Sequence, residues 1–237
     1  MSDGMYGRRA RLYDLIYAGK DYAGEAAALG ERLADHGVRQ GASVLEAACG
    51  TGSYVEHLAG CYEMSGFDIS AEMLEIAREK LPEVELFEAD MFDFVAEKTY
   101  DAVLCLFSSI SYAESLDQLE QAAHNFYSAL RPGGVLVVEP WIGPGEVAAG
   151  RPSMKTYEDE DIKVCRQFVS KEEGRKAVLD FHWMVAERGK DVEYFTSQLV
   201  AYLYSPEEYR GALEQAGFEV VYDADGLSGR GLYVAVA

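Results

Sequence analysis

The sequence predicts an α/β fold: an open, mostly parallel sheet with an antiparallel last strand, a small antiparallel β insertion and N-terminal helices. Three observations carry this. Short apolar runs alternate with helix-period segments over residues 41–150, and a glycine turn joins the first run to the first helix. The rhythm then changes to polar–apolar alternation over 151–204, before a last helix and two strands. The chain is read as one domain, with a helical cap (1–40), a core (41–150), the insertion (151–204) and a closing helix and strands (205–237).

Tyr6 to His36 reads as two amphipathic helices lying across the C-terminal edge of the sheet. Residues 43–48 (SVLEAA) form a buried strand, CGTG turns the chain, and a helix runs from Gly52 to Leu58. The second strand covers Tyr62 to Phe67. Ser70 then caps a helix whose Met73, Leu74, Ala77 and Leu81 share one face before Pro82. A third strand, VELFEA, ends near Asp90, and the unbroken apolar run Ala102 to Phe107 is a strand covered on both faces. Ser115 opens a helix through Leu130, RPGG turns, and VLVVE is the fifth strand. In the insertion IKVCRQFV, KAVLDFHWMV and SQLVAYLY are antiparallel strands. SPEE at Ser205 combines an N-cap, proline at the first helical position and Glu208 three residues on, with Gly217 closing that helix. FEVVYDA and LYVAVA, separated by GLSGRG, end the chain.

The chain of 237 residues is 49% hydrophobic, enough for a substantial core, and 21 Lys and Arg against 41 Asp and Glu give a net charge of −20. That sign disfavours nucleic acid and anionic membranes as partners. No run approaches the roughly 18 apolar residues of a membrane span, and the N-terminus lacks the apolar core of a signal peptide, so a cytoplasmic location is expected. Cys49, Cys61, Cys105 and Cys165 stand singly, and His57, His124 and His182 lack ligand spacing, so neither disulfides nor a metal site is expected. The acidic run Glu158 to Asp161 reads as a solvated loop.

In such a sheet the ligand crevice lies beyond the carboxyl ends of the strands. After strand one come Glu46, Cys49, Gly50, Thr51 and Gly52, where glycine lets the backbone approach a ligand. Val55 replaces the third glycine of a dinucleotide fingerprint, which weakens the case for NAD. Asp68 stands eighteen residues after Gly50, placed to accept from a ribose diol, and Asp90-Met91 follows strand three, where an adenine could be met.

VLEAACGTG, GFDIS with Met73-Leu74, EADM, YDAVLCLFSS and LRPGG together resemble the class I S-adenosylmethionine-dependent methyltransferases, which have a Rossmann-like seven-stranded sheet. The resemblance implies that Gly50 and Gly52 line the methionine part of S-adenosylmethionine, Asp68 holds the ribose, and Asp90 and Met91 the adenine. Glu46, Ala48, Thr51, Ile69, Met73 and Phe107 complete the implied cofactor set, with S-adenosylhomocysteine as product. YDLIYAGKDYAGEA, FSSISY, the VVEPW segment at Val137 to Trp141 and SGRGLYV resemble more narrowly the N,N-dimethyltransferases of dTDP-linked aminosugars. That resemblance implies Tyr17 at the reacting amine and places Tyr112 where the family often has a histidine. Tyr22, Arg230 and Trp141 are candidate substrate-binding residues, Trp141 standing just beyond strand five, where it lines the pocket or covers the sheet edge.

Methyl transfer to an amine is an in-line displacement, so aligning the reactants is the main task and a dedicated base is not required. Tyr17 and Tyr112 are the residues expected to orient the acceptor. A diphosphate needs local cations: Arg230 between Gly229 and Gly231 is the favoured one, with Lys20 and Arg166 behind it. A small-molecule acceptor is thus expected, and paired β insertions could make a homodimer. Another amine or hydroxyl acceptor, and a cofactor-binding protein without activity, are the rival readings.

Overall fold

The computed structural model describes residues 10–237, and Tyr6, where the first helix was expected to start, lies outside them. Its centre is a seven-stranded sheet built from β1 (Ser43–Ala47), β2 (Glu63–Asp68), β3 (Glu85–Glu88), β4 (Tyr100–Cys105), β5 (Leu130–Val138), β10 (Glu219–Asp223) and β11 (Leu232–Val236). The order is β10-β11-β5-β4-β1-β2-β3, and only β11 runs against its neighbours. The mostly parallel sheet with an antiparallel last strand is therefore observed.

Successive strand residues face opposite layers, and both layers are apolar. Val44, Leu104 and Val137 pack beneath α2 (Tyr22–Asp35), α3 (Ser53–Leu58) and α4 (Ala71–Lys80), whereas Leu45, Val103 and Leu136 pack beneath α5 (Leu116–Ala129) and α6 (Pro206–Ala216). Ser70 caps α4, and Ser205 with Glu208 forms the expected capping box on α6, closed by Gly217. The RPGG segment is not a simple turn between helix and strand. β5 pairs with β4 at Leu130, leaves the ladder, and rejoins it at Val135, while Gly133 and Gly134 bond to the chain's last residue, Ala237.

The second sheet holds four strands, β6 (Pro152–Glu158), β7 (Ile162–Glu173), β8 (Lys176–Glu187) and β9 (Glu193–Tyr202), not the three expected. β6 is a polar edge strand that begins on proline, so it shows no apolar alternation in the sequence. The acidic run is the turn into β7, where Asp159 accepts from the backbone N–H groups of Asp161 and Ile162, both at 2.8 Å. Of the N-terminal helices only α1 (Ala10–Tyr17) bridges the sheet's C-terminal edge, its Leu12 and Ile16 packing on Phe181 and Trp183 of the second sheet. α2 instead lays Ala26, Leu29 and Leu33 on the face of the main sheet, because that side of the helix is apolar. Only its first residue, Tyr22, reaches the crevice.

Candidate active site

Two cavities meet beyond the carboxyl ends of β1 to β5. The first, of about 540 Å3, lies over the glycine turn; the second, of about 720 Å3, lies between α1 and the inner face of the four-stranded sheet. Tyr13, Phe107 and Tyr112 line both, so they form the partition.

The first cavity gathers Glu46, Ala48, Gly50, Thr51, Asp68, Ile69, Met73, Asp90, Met91 and Phe107. At its corner Gly50 takes φ +56°, with open space where a side chain would stand. Asp68 buckles this corner: one oxygen accepts from the Gly50 N–H at 2.8 Å and the other from Ser70 N–H at 2.9 Å. A carboxylate offers about four lone-pair sites, so these two bonds leave room for a diol. Asp90 accepts from Phe92 N–H at 3.0 Å, an Asx turn that sets the loop after β3. Gly52, expected beside the cofactor, does not line the cavity. It is the left-handed N-cap of α3, and a Cβ there would stand 2.8 Å from Leu81 Cδ1, so its glycine serves the packing of α3 on α4.

Glu46 is the most informative group. It is 3% exposed, and its Oε2 has no hydrogen-bond partner among the described residues. Burial first, then the charge of Asp68, pushes its carboxyl well above the ordinary range, against a stabilising backbone bond from Val55 in the first turn of α3. A buried carboxylate oxygen with no donor, beside an open glycine corner and a diol acceptor, fits the cationic amino-acid end and the ribose of S-adenosylmethionine. Glu46 and the Gly50 corner would hold the methionine end, Asp68 the ribose, and Asp90 with Met91 the base.

The second cavity receives Tyr17, Trp141 and Arg230. Tyr22 is placed in the first cavity instead, edge-on to Tyr54 at 5.1 Å, because α2 starts on that side of the partition. Tyr17 accepts from Arg166 Nη2 at 3.2 Å and meets Phe107 edge-on at 5.1 Å. Four cations line this cavity: Lys20, Lys155, Arg166 and Arg230. Lys20 and Arg230 are paired with carboxylates. Lys20 pairs with Glu25, and Arg230 Nη2 donates to Glu139 Oε1 at 3.2 Å. Arg166 is buried, its guanidinium on the rings of Phe181 and Trp183 at 4.5 and 5.4 Å. Lys155 Nζ lies 4.2 Å over the Tyr17 ring; desolvation, then the charges of Arg166, Lys20 and Arg230, pull its ammonium below the usual lysine range.

Sequence reasoning missed Tyr13, Lys155 and Glu139. Tyr13 precedes Tyr17 by one helical turn, a spacing that puts both on one face. Lys155 sits on the unforeseen β6, while Glu139 stands at the tip of β5, where the strand-end rule points. Among the described residues no group of three or more His, Cys, Asp or Glu is gathered to hold a metal, and no helix is long and apolar enough to cross a membrane.

Residues 44–134 match the family model of a methyltransferase domain. Over 230 residues the chain is 37% identical to the dTDP-3-amino-3,4,6-trideoxy-alpha-D-glucopyranose N,N-dimethyltransferase of Streptomyces venezuelae, covering 96% of this chain and 97% of that one. Its fold matches the crystal structure of Streptomyces venezuelae DesVI with a TM-score of 0.91 at 37% identity, covering 96% and 98% of the two chains. The sugar N-methyltransferase KedS8 from Streptoalloteichus sp ATCC 53650 gives 0.90 at 32% identity, covering 100% and 95%. The chain is thus an S-adenosylmethionine-dependent methyltransferase, and it belongs to the family of the dTDP-aminosugar N,N-dimethyltransferases.

Proposed function

We propose that this enzyme methylates the amine of a nucleotide-diphosphate aminosugar of the dTDP type, with Tyr17 and Tyr112 orienting the amine. One observation carries the reading: a chain of net charge −20 lines the cavity next to its cofactor site with four cations. A neutral or purely cationic acceptor would gain nothing from them, whereas a diphosphate would.

When bound, S-adenosylmethionine supplies a methyl group on a sulfonium, and S-adenosylhomocysteine remains. The chain supplies alignment, which can lower a barrier by roughly 7 to 11 kcal/mol. Tyr112 in the partition and Tyr17 beside it can hydrogen-bond the free amine so that its lone pair points toward the cofactor cavity. Arg166 fixes the Tyr17 hydroxyl, and with Lys155 and Arg230 it forms the cationic wall for the phosphates. Trp141 offers an apolar face and a buried indole N–H with no partner among the described residues, suited to a sugar.

Purified protein incubated with labelled S-adenosylmethionine should methylate a dTDP-aminosugar and leave the same aminosugar without its nucleotide essentially unmodified. Equal turnover of both would remove the diphosphate from the reading.

We further propose a homodimer through the outer face of the four-stranded sheet, where Met154, Met184 and Tyr194 are exposed. Sedimentation of a Met184→Lys, Tyr194→Lys variant should then show monomers. The four cysteines are free, as a reducing cytoplasm would keep them.

A further inference from the structure

We propose that Glu139 is a positioning residue that sets both cavities at once, fixing Phe107 on the partition with one oxygen and presenting Arg230 to the acceptor with the other. The Arg230 half rests on reading the second cavity as the acceptor's; the Phe107 half does not.

Glu139 follows β5 directly and is 0% exposed. Its Oε2 accepts from the Phe107 N–H at 2.7 Å. Its Oε1 accepts from Ser228 Oγ at 2.5 Å and from Arg230 Nη2 at 3.2 Å, while Arg230 Nε donates to Ser228 Oγ at 3.0 Å. Phe107 and Ser108 are consecutive non-glycine residues in the left-handed region, with φ of 52° and 64°. Such a corner persists only where its surroundings over-determine it. The Glu139 bond does so from one side; Ser108 Oγ, donating to Pro140 O at 2.8 Å, does so from the other. The guanidinium of Arg230 in turn lies over the rings of Phe107 and Trp141 at 5.5 and 5.7 Å.

Burying a carboxylate beside one arginine is poor value for stability alone, since well-packed apolar groups serve as well. What the carboxylate provides is two accepting oxygens on opposite sides of one rigid strand tip. An amide has only one. In Glu139→Gln that oxygen would stay on Phe107 N–H, which cannot move, and Arg230, whose side chain is 23% exposed, would turn to solvent. Glu139→Ala would release both.

The test measures S-adenosylhomocysteine affinity by calorimetry, and KM and kcat for a dTDP-aminosugar, in Glu139→Gln, Glu139→Ala, Arg230→Gln and the Gln–Gln double variant of the full chain. Glu139→Gln should keep S-adenosylhomocysteine affinity within about threefold while raising acceptor KM about tenfold or more, with kcat much less affected. Glu139→Ala should also weaken S-adenosylhomocysteine about tenfold or more. The double variant should have the acceptor KM of Arg230→Gln alone, because the two residues act as one unit. Equal S-adenosylhomocysteine affinity in the Gln and Ala variants, or additive KM effects in the double variant, overturns the proposal. Should the Ala variant fail to fold, Glu139→Asp, which draws the same oxygens back by one methylene, takes its place with the same expectation. If the wild type methylates no dTDP-aminosugar, the acceptor reading falls, and the contrast in S-adenosylhomocysteine affinity still decides the case for Glu139.

Discussion

Glu46→Gln should make the cofactor-free protein more stable and its cofactor binding weaker. The carboxylate is buried, one oxygen has no donor, and burial with the Asp68 charge pushes its pKa up from the ordinary 4.5. The amide is isosteric and can still accept from the first turn of α3, but it carries no charge to desolvate. An unsatisfied buried group costs about 1–3 kcal/mol; because the amide leaves its own NH2 there, the low end applies, about 1 kcal/mol. For a chain of this length that is about 2–4 °C in Tm. In the complex the carboxylate gains a charge-assisted hydrogen bond worth about 1.5–3 kcal/mol, so the variant should bind S-adenosylhomocysteine about 10- to 150-fold more weakly.

The pH dependence has a defined sign. A carboxyl whose folded pKa is raised stabilises the fold below its unfolded value, and that contribution is lost as pH rises through the folded value. Cofactor-free wild type should therefore lose stability relative to Glu46→Gln as pH rises from about 4.5 upward. Where Glu46 is protonated in the free protein, binding a cation beside it should release a proton, visible as a buffer-dependent calorimetric enthalpy. Differential scanning fluorimetry and calorimetry on both proteins suffice. A Glu46→Gln protein that melts below the wild type, or that binds S-adenosylhomocysteine within about threefold of it, would refute the reasoning.

Tyr17→Phe and Tyr112→Phe each remove one hydrogen bond to the acceptor, about 0.5–1.5 kcal/mol, and should lower acceptor kcat/KM about 2- to 10-fold with cofactor affinity little changed; unaltered turnover in either would remove that residue from the role. Lys155→Met should raise acceptor KM by up to about fivefold, the equivalent of about 1 kcal/mol for a partly exposed cation. The ratio of variant to wild-type KM should shrink between 0.05 and 0.5 M salt, and a salt-independent ratio would mean Lys155 acts by shape. Gly52→Ala puts a Cβ at φ +78° and 2.8 Å from Leu81, so denaturant titration should show a loss of about 1–3 kcal/mol with catalysis kept below the melting range. Loss of cofactor affinity without loss of stability would instead return Gly52 to the cavity.

The parts of this molecule legible in the sequence are those whose physics is local. Helix caps at Ser70, Ser115 and Ser205 depend on a few neighbouring residues, and all three are observed. Strands buried on both faces announce themselves as apolar runs, as β4 does. β6 escaped because a proline-led edge strand with one wet face has no such pattern. With it went Lys155, whose significance appears only when register sets it opposite Arg166. Glu139 and Tyr13 do carry local signals, the first standing at a strand tip and the second one helical turn before Tyr17, but neither position by itself tells which cavity its side chain serves. Gly52 shows the converse: a motif glycine can also be demanded by an inter-helix contact, and spacing cannot separate that demand from a ligand's.

A net charge of −20 disfavours polyanions as partners, yet the proposed acceptor is itself an anion, and the two statements are compatible because they concern different distances. At physiological salt a charge is screened within about 8 Å, so the −20 total governs approach to the surface but not a cavity. Within that range the chain uses carboxylates to place cations rather than to cancel them. A guanidinium has five donors, of which the bonds to Ser228 and Glu139 take two of those on Arg230; an ammonium has three, of which Glu25 takes one on Lys20. Each pairing holds its cation in the cavity lining and leaves donors that the carboxylate does not use. A small anion that reaches the cavity can engage those donors, whereas an extended polyanion meets the acidic surface first. An overall charge that disfavours nucleic acid is thus compatible with a cavity suited to a diphosphate.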